Sequence, residues 1–139
     1  MNTTLLSICF VLLITVFMSL QNMSPHPLPE CPDSPNCERS SVELTFPKED
    51  VNTVSLEVLK KMKAYEIQQN DDGELHAIFK IPIFGWKDDV NILIEETDAG
   101  TMVYIRSASR TGYSDLGVNK RRVMRFIRWL ENDLKAMHP

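Results

Sequence analysis

The chain has 139 residues, of which 43% are hydrophobic, enough for one domain with a modest core. Its net charge of −4 argues against nucleic acid as a partner, since phosphate backbones are held by surplus Lys and Arg.

Residues 4–20, Thr-Leu-Leu-Ser-Ile-Cys-Phe-Val-Leu-Leu-Ile-Thr-Val-Phe-Met-Ser-Leu, carry no charge, and the first basic side chain is Arg39. An uncharged apolar stretch this close to Met1 reads as a signal peptide or a short signal anchor, assigned to residues 1–24. Roughly 17 helical residues span about 25 Å, less than the ~30 Å hydrocarbon core, which favours a signal segment. An extracytoplasmic protein of the periplasm or cell envelope is therefore expected, exported or anchored. Residues 25–41 hold Pro25, Pro27, Pro29, Pro32 and Pro35 and read as a stiff tether. Within it Cys31 and Cys37 most simply form a local disulfide in an oxidising compartment. A redox pair or half of a metal site lacks a Cys-x-x-Cys spacing and a second ligand pair. Residues 42–139 remain for a single globular domain.

Val51, Val54, Val58, Leu59, Met62 and Tyr65 recur at helical spacing, which predicts a helix over about residues 50–64. Four strands are expected to follow. Tyr65–Gln69 precedes the turn Asn70-Asp71-Asp72-Gly73; Leu75, Ala77, Phe79 and Ile81 alternate along the second; Val90, Ile92 and Ile94 along the third. The fourth, Thr101–Ala108, follows the turn Thr97-Asp98-Ala99-Gly100. The register that places Ile94 opposite Val103, Ile92 opposite Ile105 and Val90 opposite Ser107 keeps the apolar faces together, and a one-residue slip would reverse them. A last helix is predicted over about residues 120–137, with Asn119 as N-cap and Val123, Phe126, Ile127, Leu130, Leu134 and Met137 as its core stripe. Arg121, Arg125 and Arg128 fall on its solvent side. The expected fold is α+β in the order α-β-β-β-β-α, a two-layer sandwich of a four-stranded antiparallel sheet with both helices on one face.

Charge is unevenly placed. Residues 43–98 hold 13 acids and 6 bases, a net of −7, whereas residues 101–130 hold 7 bases against Asp115 alone, a net of +6. The basic half includes the least ordinary stretch, Arg106-Ser107-Ala108-Ser109-Arg110-Thr111-Gly112-Tyr113-Ser114-Asp115-Leu116-Gly117-Val118-Asn119. Together with Cys31-Pro32-Asp33-Ser34-Pro35-Asn36-Cys37 and Asp88-Asp89-Val90, it resembles the bacterial and plant "domain of unknown function 1499" family over residues 31–135. The resemblance implies a single small domain, often behind an export or targeting sequence, and no established activity.

Three functional readings fit these residues. In the first, a binding or accessory module holds a small anion or polar ligand at a corner made by Arg106, Ser107, Ser109, Arg110, Tyr113, Ser114, Asn119 and Arg122. The open amides at the helix start and the positive end of its dipole would support an anion there. In the second, the motif is a hydrogen-bonded lock between helix and sheet, with Asp115 as an internal anion, and the domain acts through protein contacts. In the third, the domain is a hydrolytic enzyme using Asp88 or Asp89 and a serine. The expected hairpin places Asp89 diagonal to Arg106, an ion pair within reach of long side chains. Trp86 and Phe84 are candidates to line a groove. The Arg121, Arg125 and Arg128 stripe adds a membrane surface as a candidate partner. No cofactor is expected, since neither G-x-G-x-x-G nor a P-loop occurs, and no metal, since His and Cys clusters are lacking.

Overall fold

The computed structural model describes residues 26–71, 73–81 and 83–139, so the expected signal segment lies outside the described residues. Helix α1 spans Lys48–Lys61 and buries Val51, Val54, Val58 and Leu59, the i, i+3, i+7, i+8 face read from the sequence. Glu49 and Asp50 in its first turn and Lys60 and Lys61 in its last complement the helix dipole. It stops earlier than residue 64 because Lys63 turns left-handed at φ 62°. The amide of Ala64 then donates to the Leu59 carbonyl and that of Lys63 to Lys60, the Schellman pattern with lysine where glycine is usual.

The sheet has five antiparallel strands rather than four, in the order β1-β5-β4-β3-β2. They are β1 (Cys37–Leu44), β2 (Glu66–Gln69), β3 (Leu75–Lys80), β4 (Lys87–Thr97) and β5 (Gly100–Ser109). The added strand is β1, which pairs along β5 from Cys37 opposite Ala108 to Leu44 opposite Thr101. It is an edge strand of largely half-buried polar residues, with only Val42 and Leu44 apolar after the cysteine. The tether reading of residues 25–41 followed the prolines at 25–35, and residues 37–41 of that stretch belong to β1. The β4–β5 register is the expected one, with Ile94 opposite Val103, Ile92 opposite Ile105 and Val90 opposite Ser107. Pairing continues to Thr97 opposite Gly100, leaving Asp98 and Ala99 as the turn.

Helix α2 spans Val118–Met137 and buries Val123, Phe126, Leu130 and Leu134. These meet α1 and the strand residues Leu75, Ala77, Phe79, Val90, Ile92, Ile94, Val103 and Ile105 in one core cluster. Both helices therefore cover the same face of the sheet. Met137 departs from the expected stripe: it is 50% exposed at the end of the last turn. On the other face, residues 26–29 lie against β1 and β5. Leu28 is buried, His26 meets Tyr104 edge-on at 5.0 Å, and Arg39 donates to the Leu28 carbonyl at 3.0 Å.

Candidate functional site

Strand periodicity decides which motif residues can meet. Successive side chains of a strand point to opposite faces. On the helix-covered face, Asp88 lies opposite Ser109 and Phe79, two residues along from Val90 and Ser107. Asp89, Ala108 and Arg106 belong to the other face. The eight residues proposed as one ligand corner are thus divided between two sides of the sheet, and so are Asp88 and Asp89, the two candidate carboxylates of the hydrolytic reading.

On the helix-covered side, the first turn of α2 lies over the strand ends. Arg122, with only 9% of its side chain exposed, donates to Asp88 Oδ2 at 2.7 Å, Ser107 Oγ at 3.0 Å and Asn119 Oδ1 at 2.7 Å. Its guanidinium lies 4.6 Å from the centre of the Phe79 ring. Asn119 is buried, and its side-chain amide faces Asn36 O at 2.9 Å, Ser109 Oγ at 2.9 Å and Asp115 Oδ2 at 2.7 Å. Asn119 is therefore a hub inside the helix and not its N-cap, because α2 begins one residue earlier, at Val118. Capping falls to Asp115, whose carboxylate accepts the amides of Gly117 at 2.8 Å and Asn119 at 2.6 Å. Burial pushes the Asp115 carboxyl up, but those amides and the Asn119 side chain outweigh it and hold it below the ordinary carboxylate value. Asp115 thus occupies the place at the helix start where an external anion was expected.

The Cys31–Cys37 disulfide is formed, with the Cα atoms 5.6 Å apart. It holds a loop in which the Asn36 side chain donates to the Gly112 carbonyl, while the Asn36 carbonyl accepts from Ser109 and Asn119. Asn36 was missed as a functional residue. Its only sequence signal was its place in the Cys31–Cys37 segment.

On the opposite face, Asp89 pairs with Arg110 at 2.7 and 2.8 Å and accepts from His76 at 2.8 Å. This corrects the expected Asp89–Arg106 pair. Arg106 lies opposite Asn91 and Arg39, and of the two diagonal arginines it is Arg110 that closes on Asp89. The Arg110 hydrogen bonds, against an opposing effect of burial and with help from His76, lower the Asp89 pKa.

Between α2 and the β3–β4 loop is a cleft of about 190 Å³. Ile81, Phe84, Trp86, Leu116 and Val118 supply its apolar walls, and Asp88, Ser109, Thr111, Ser114 and Asp115 its polar lining. The Phe84 and Trp86 rings stack with centroids 4.6 Å apart. Gly85 between them has φ 67°, a conformation that glycine adopts without steric cost. Asp88 is fully buried, and its Oδ1 has no hydrogen-bond partner among the described residues. Of the proposed ligand residues, Ser109 and Ser114 line this cleft. Ser107, Asn119 and Arg122 support it from within, Tyr113 is 73% exposed, and Arg106 and Arg110 lie on the other face.

Over residues 27–130 the chain matches the family described as "Protein of unknown function (DUF1499)", and it belongs to that family. No curated protein matches it in sequence. Among solved structures, the crystal structure of protein CV1439 from Chromobacterium violaceum is similar at 14% identity and a TM-score of 0.42, covering 70% of this chain and 94% of that one.

Proposed function

We propose that this is an extracytoplasmic binding module whose ligand is small, largely apolar and equipped with a hydrogen-bond donor. The observation that carries the reading is Asp88 Oδ1, buried and unpartnered beneath an apolar cleft. A buried acceptor left unpaired costs about 1–3 kcal/mol, and more when charged, so a ligand hydroxyl or ammonium at that point would recover stabilisation. Walls of Ile81, Phe84, Trp86 and Leu116 suit an aliphatic or aromatic body. At about 190 Å³ the cleft lies below the ~300–1,000 Å³ usual for drug-sized ligands, so a small molecule or one end of a larger one is expected. An anion fits this site poorly: Asp88 lies at its floor and Asp115 already holds the helix-start amides. The uncharged residues 4–20 and the disulfide support a compartment outside the cytoplasm.

A second reading keeps the motif as a lock between helix and sheet, favoured by the hydrogen bonds joining Asp115, Asn119, Ser107 and Arg122. The two are compatible, because that network holds Asp88 in place. Ligand-observed NMR with hexanol, hexylamine and hexanoate tests the binding reading. Hexanol and hexylamine should bind, hexanoate should not, and Trp86→Ala should weaken both. Asp88→Asn, which sets a donor beside the acceptor position, should remove the preference. Absence of binding by all three, or hexanoate binding as well as hexylamine, would leave the lock reading alone.

A further inference from the structure

We propose that the end of the domain formed by the β3–β4 loop and the segment before α2 docks on an anionic phospholipid bilayer. Most of the exposed large apolar side chains among the described residues gather there. Ile83 and Leu116 are each 85% exposed, Tyr113 73%, Phe84 62% and Trp86 51%. Scattered exposed apolar residues need no explanation, but five on two adjoining loops do.

Two costs at this end are only partly offset within the chain. Leu116 holds a left-handed backbone at φ 54°, an outlier for a bulky residue, yet its side chain gains almost no burial from it. Lys80 and Lys87 are directly opposite each other in the β3–β4 ladder, where like charges repel. Their shared relief is the exposed Tyr65 ring, 5.4 and 5.7 Å from the two ammonium groups. An anionic bilayer offsets both costs, taking up the apolar tips and neutralising the lysines. Arg121, which donates to the Leu116 carbonyl at 2.9 Å, adds a further positive charge beside the tip.

Charge complementarity selects an anionic surface over a basic or neutral one and gives an orientation, and the exposed apolar tips select a bilayer among anionic surfaces. Asp88, Asp89 and Asp115 at this end are internally engaged, with Arg122, with Arg110 and His76, and with backbone amides respectively, while Glu66 at the start of β2 is exposed. Strand β4 begins at this end with Lys87 and runs to Glu95 and Glu96, with Asp98 in the turn beyond. The domain therefore has a basic, aromatic end and an acidic end along its strands. Trp86 and Tyr113 would take headgroup depth, where such rings are enriched, with Ile83 and Leu116 deeper. The apolar residues 4–20 give the chain an independent route to a membrane.

The chain has two tryptophans, Trp86 and Trp129. The test uses the full chain with Trp129→Phe, reconstituted in phosphatidylglycerol-containing vesicles made with or without brominated acyl chains. Docking predicts a blue-shifted Trp86 emission that brominated lipid quenches. The effect should be lost in Ile83→Asp/Leu116→Asp and reduced in phosphatidylcholine alone. The complementary Trp86→Phe chain should show no quenching of Trp129. Unchanged Trp86 emission in brominated vesicles that carry the chain would overturn the proposal. So would Trp86 that lipid leaves unquenched but high protein concentration shields from acrylamide, which would assign the surface to a second copy. Trp86 and Leu116 also line the cleft but Ile83 does not, so Ile83→Asp alone should reduce the quenching while hexanol still binds the cleft, which keeps the two readings distinguishable.

Discussion

The side-chain amide of Asn119 donates to the backbone carbonyl of Asn36, 83 positions away, at 2.9 Å. This one contact ties the start of α2 to the disulfide loop and to the end of the edge strand. The amide has two protons facing three acceptors, Asn36 O, Ser109 Oγ and Asp115 Oδ2, so at least one proton is shared. Asn119→Ala removes every one of these partners and also the acceptor used by Ser107 and Arg122. With each stranded polar group costing about 1–3 kcal/mol, a loss of roughly 3 kcal/mol or more is expected. Urea denaturation measures it, and a cost under about 1 kcal/mol would mean that water replaces the side chain freely.

Removing the disulfide should weaken the same junction from the other side. The cysteines are six positions apart, and a loop this short contributes about 2 kcal/mol in the chain-entropy model. Cys31→Ser/Cys37→Ser should lose about that much and should also raise amide exchange at Ser109, whose N–H donates to Asn36 O. Protection at Ser109 unchanged from the wild type would show that β1 holds Asn36 without the bridge.

The helices, the inner strands and the β4–β5 register were legible because their apolar residues repeat at 3.6 or 2 positions. Strand β1 was not, since an edge strand with polar residues on both faces carries no such period. The site was half legible. Ser107, Asn119 and Arg122 do converge, but grouping them with Arg106 and Arg110 ignored the alternation of strand faces that the same reading used for Ile92 and Ile105. Asn119 looked like an N-cap because its residue type fits one. Only its tertiary partner, Asn36, reveals that it is turned inward, and local sequence does not encode that contact.

Acid should weaken the fold through Asp115 and Asp89. Both carboxyls titrate below the ordinary carboxylate value in the folded chain: burial raises Asp115 but the amides of Asn119 and Gly117 outweigh it, and Asp89 is lowered chiefly by Arg110. Between the folded and unfolded pKa values the unfolded chain binds more protons, so stability falls as pH falls. This contribution should be complete above about pH 5 and should decline below about pH 4. Asp115→Asn and Asp89→Asn should each be less stable near neutrality but show a shallower loss on acidification. Denaturation midpoints measured from pH 7 to pH 2.5 check it, and an unchanged slope in Asp115→Asn would contradict the capping role.

Two arginines of the motif should behave in opposite ways. Arg110 has 42% of its side chain exposed and meets Asp89 near the surface, where solvent screens the pair and the side chains lose entropy in forming it. Arg110→Ala should therefore cost little. Arg122 and Asp88 have side-chain exposures of 9% and 0%, and truncating the arginine leaves a buried carboxylate with neither oxygen paired. A cost of about 3–5 kcal/mol is expected for Arg122→Ala. The penalty belongs to the stranded charge rather than to the attraction itself, so Asp88→Leu/Arg122→Met should be more stable than Arg122→Ala alone. The Met side chain would still cover Phe79, now without the guanidinium that lies 4.6 Å from its ring. Urea denaturation of Arg110→Ala, Arg122→Ala and the double variant separates these terms. If Arg110→Ala proved the more damaging, the lock would lie on the outer face of the sheet with Asp89 and His76. Asp88 would then lose its place as the fixed floor of the cleft.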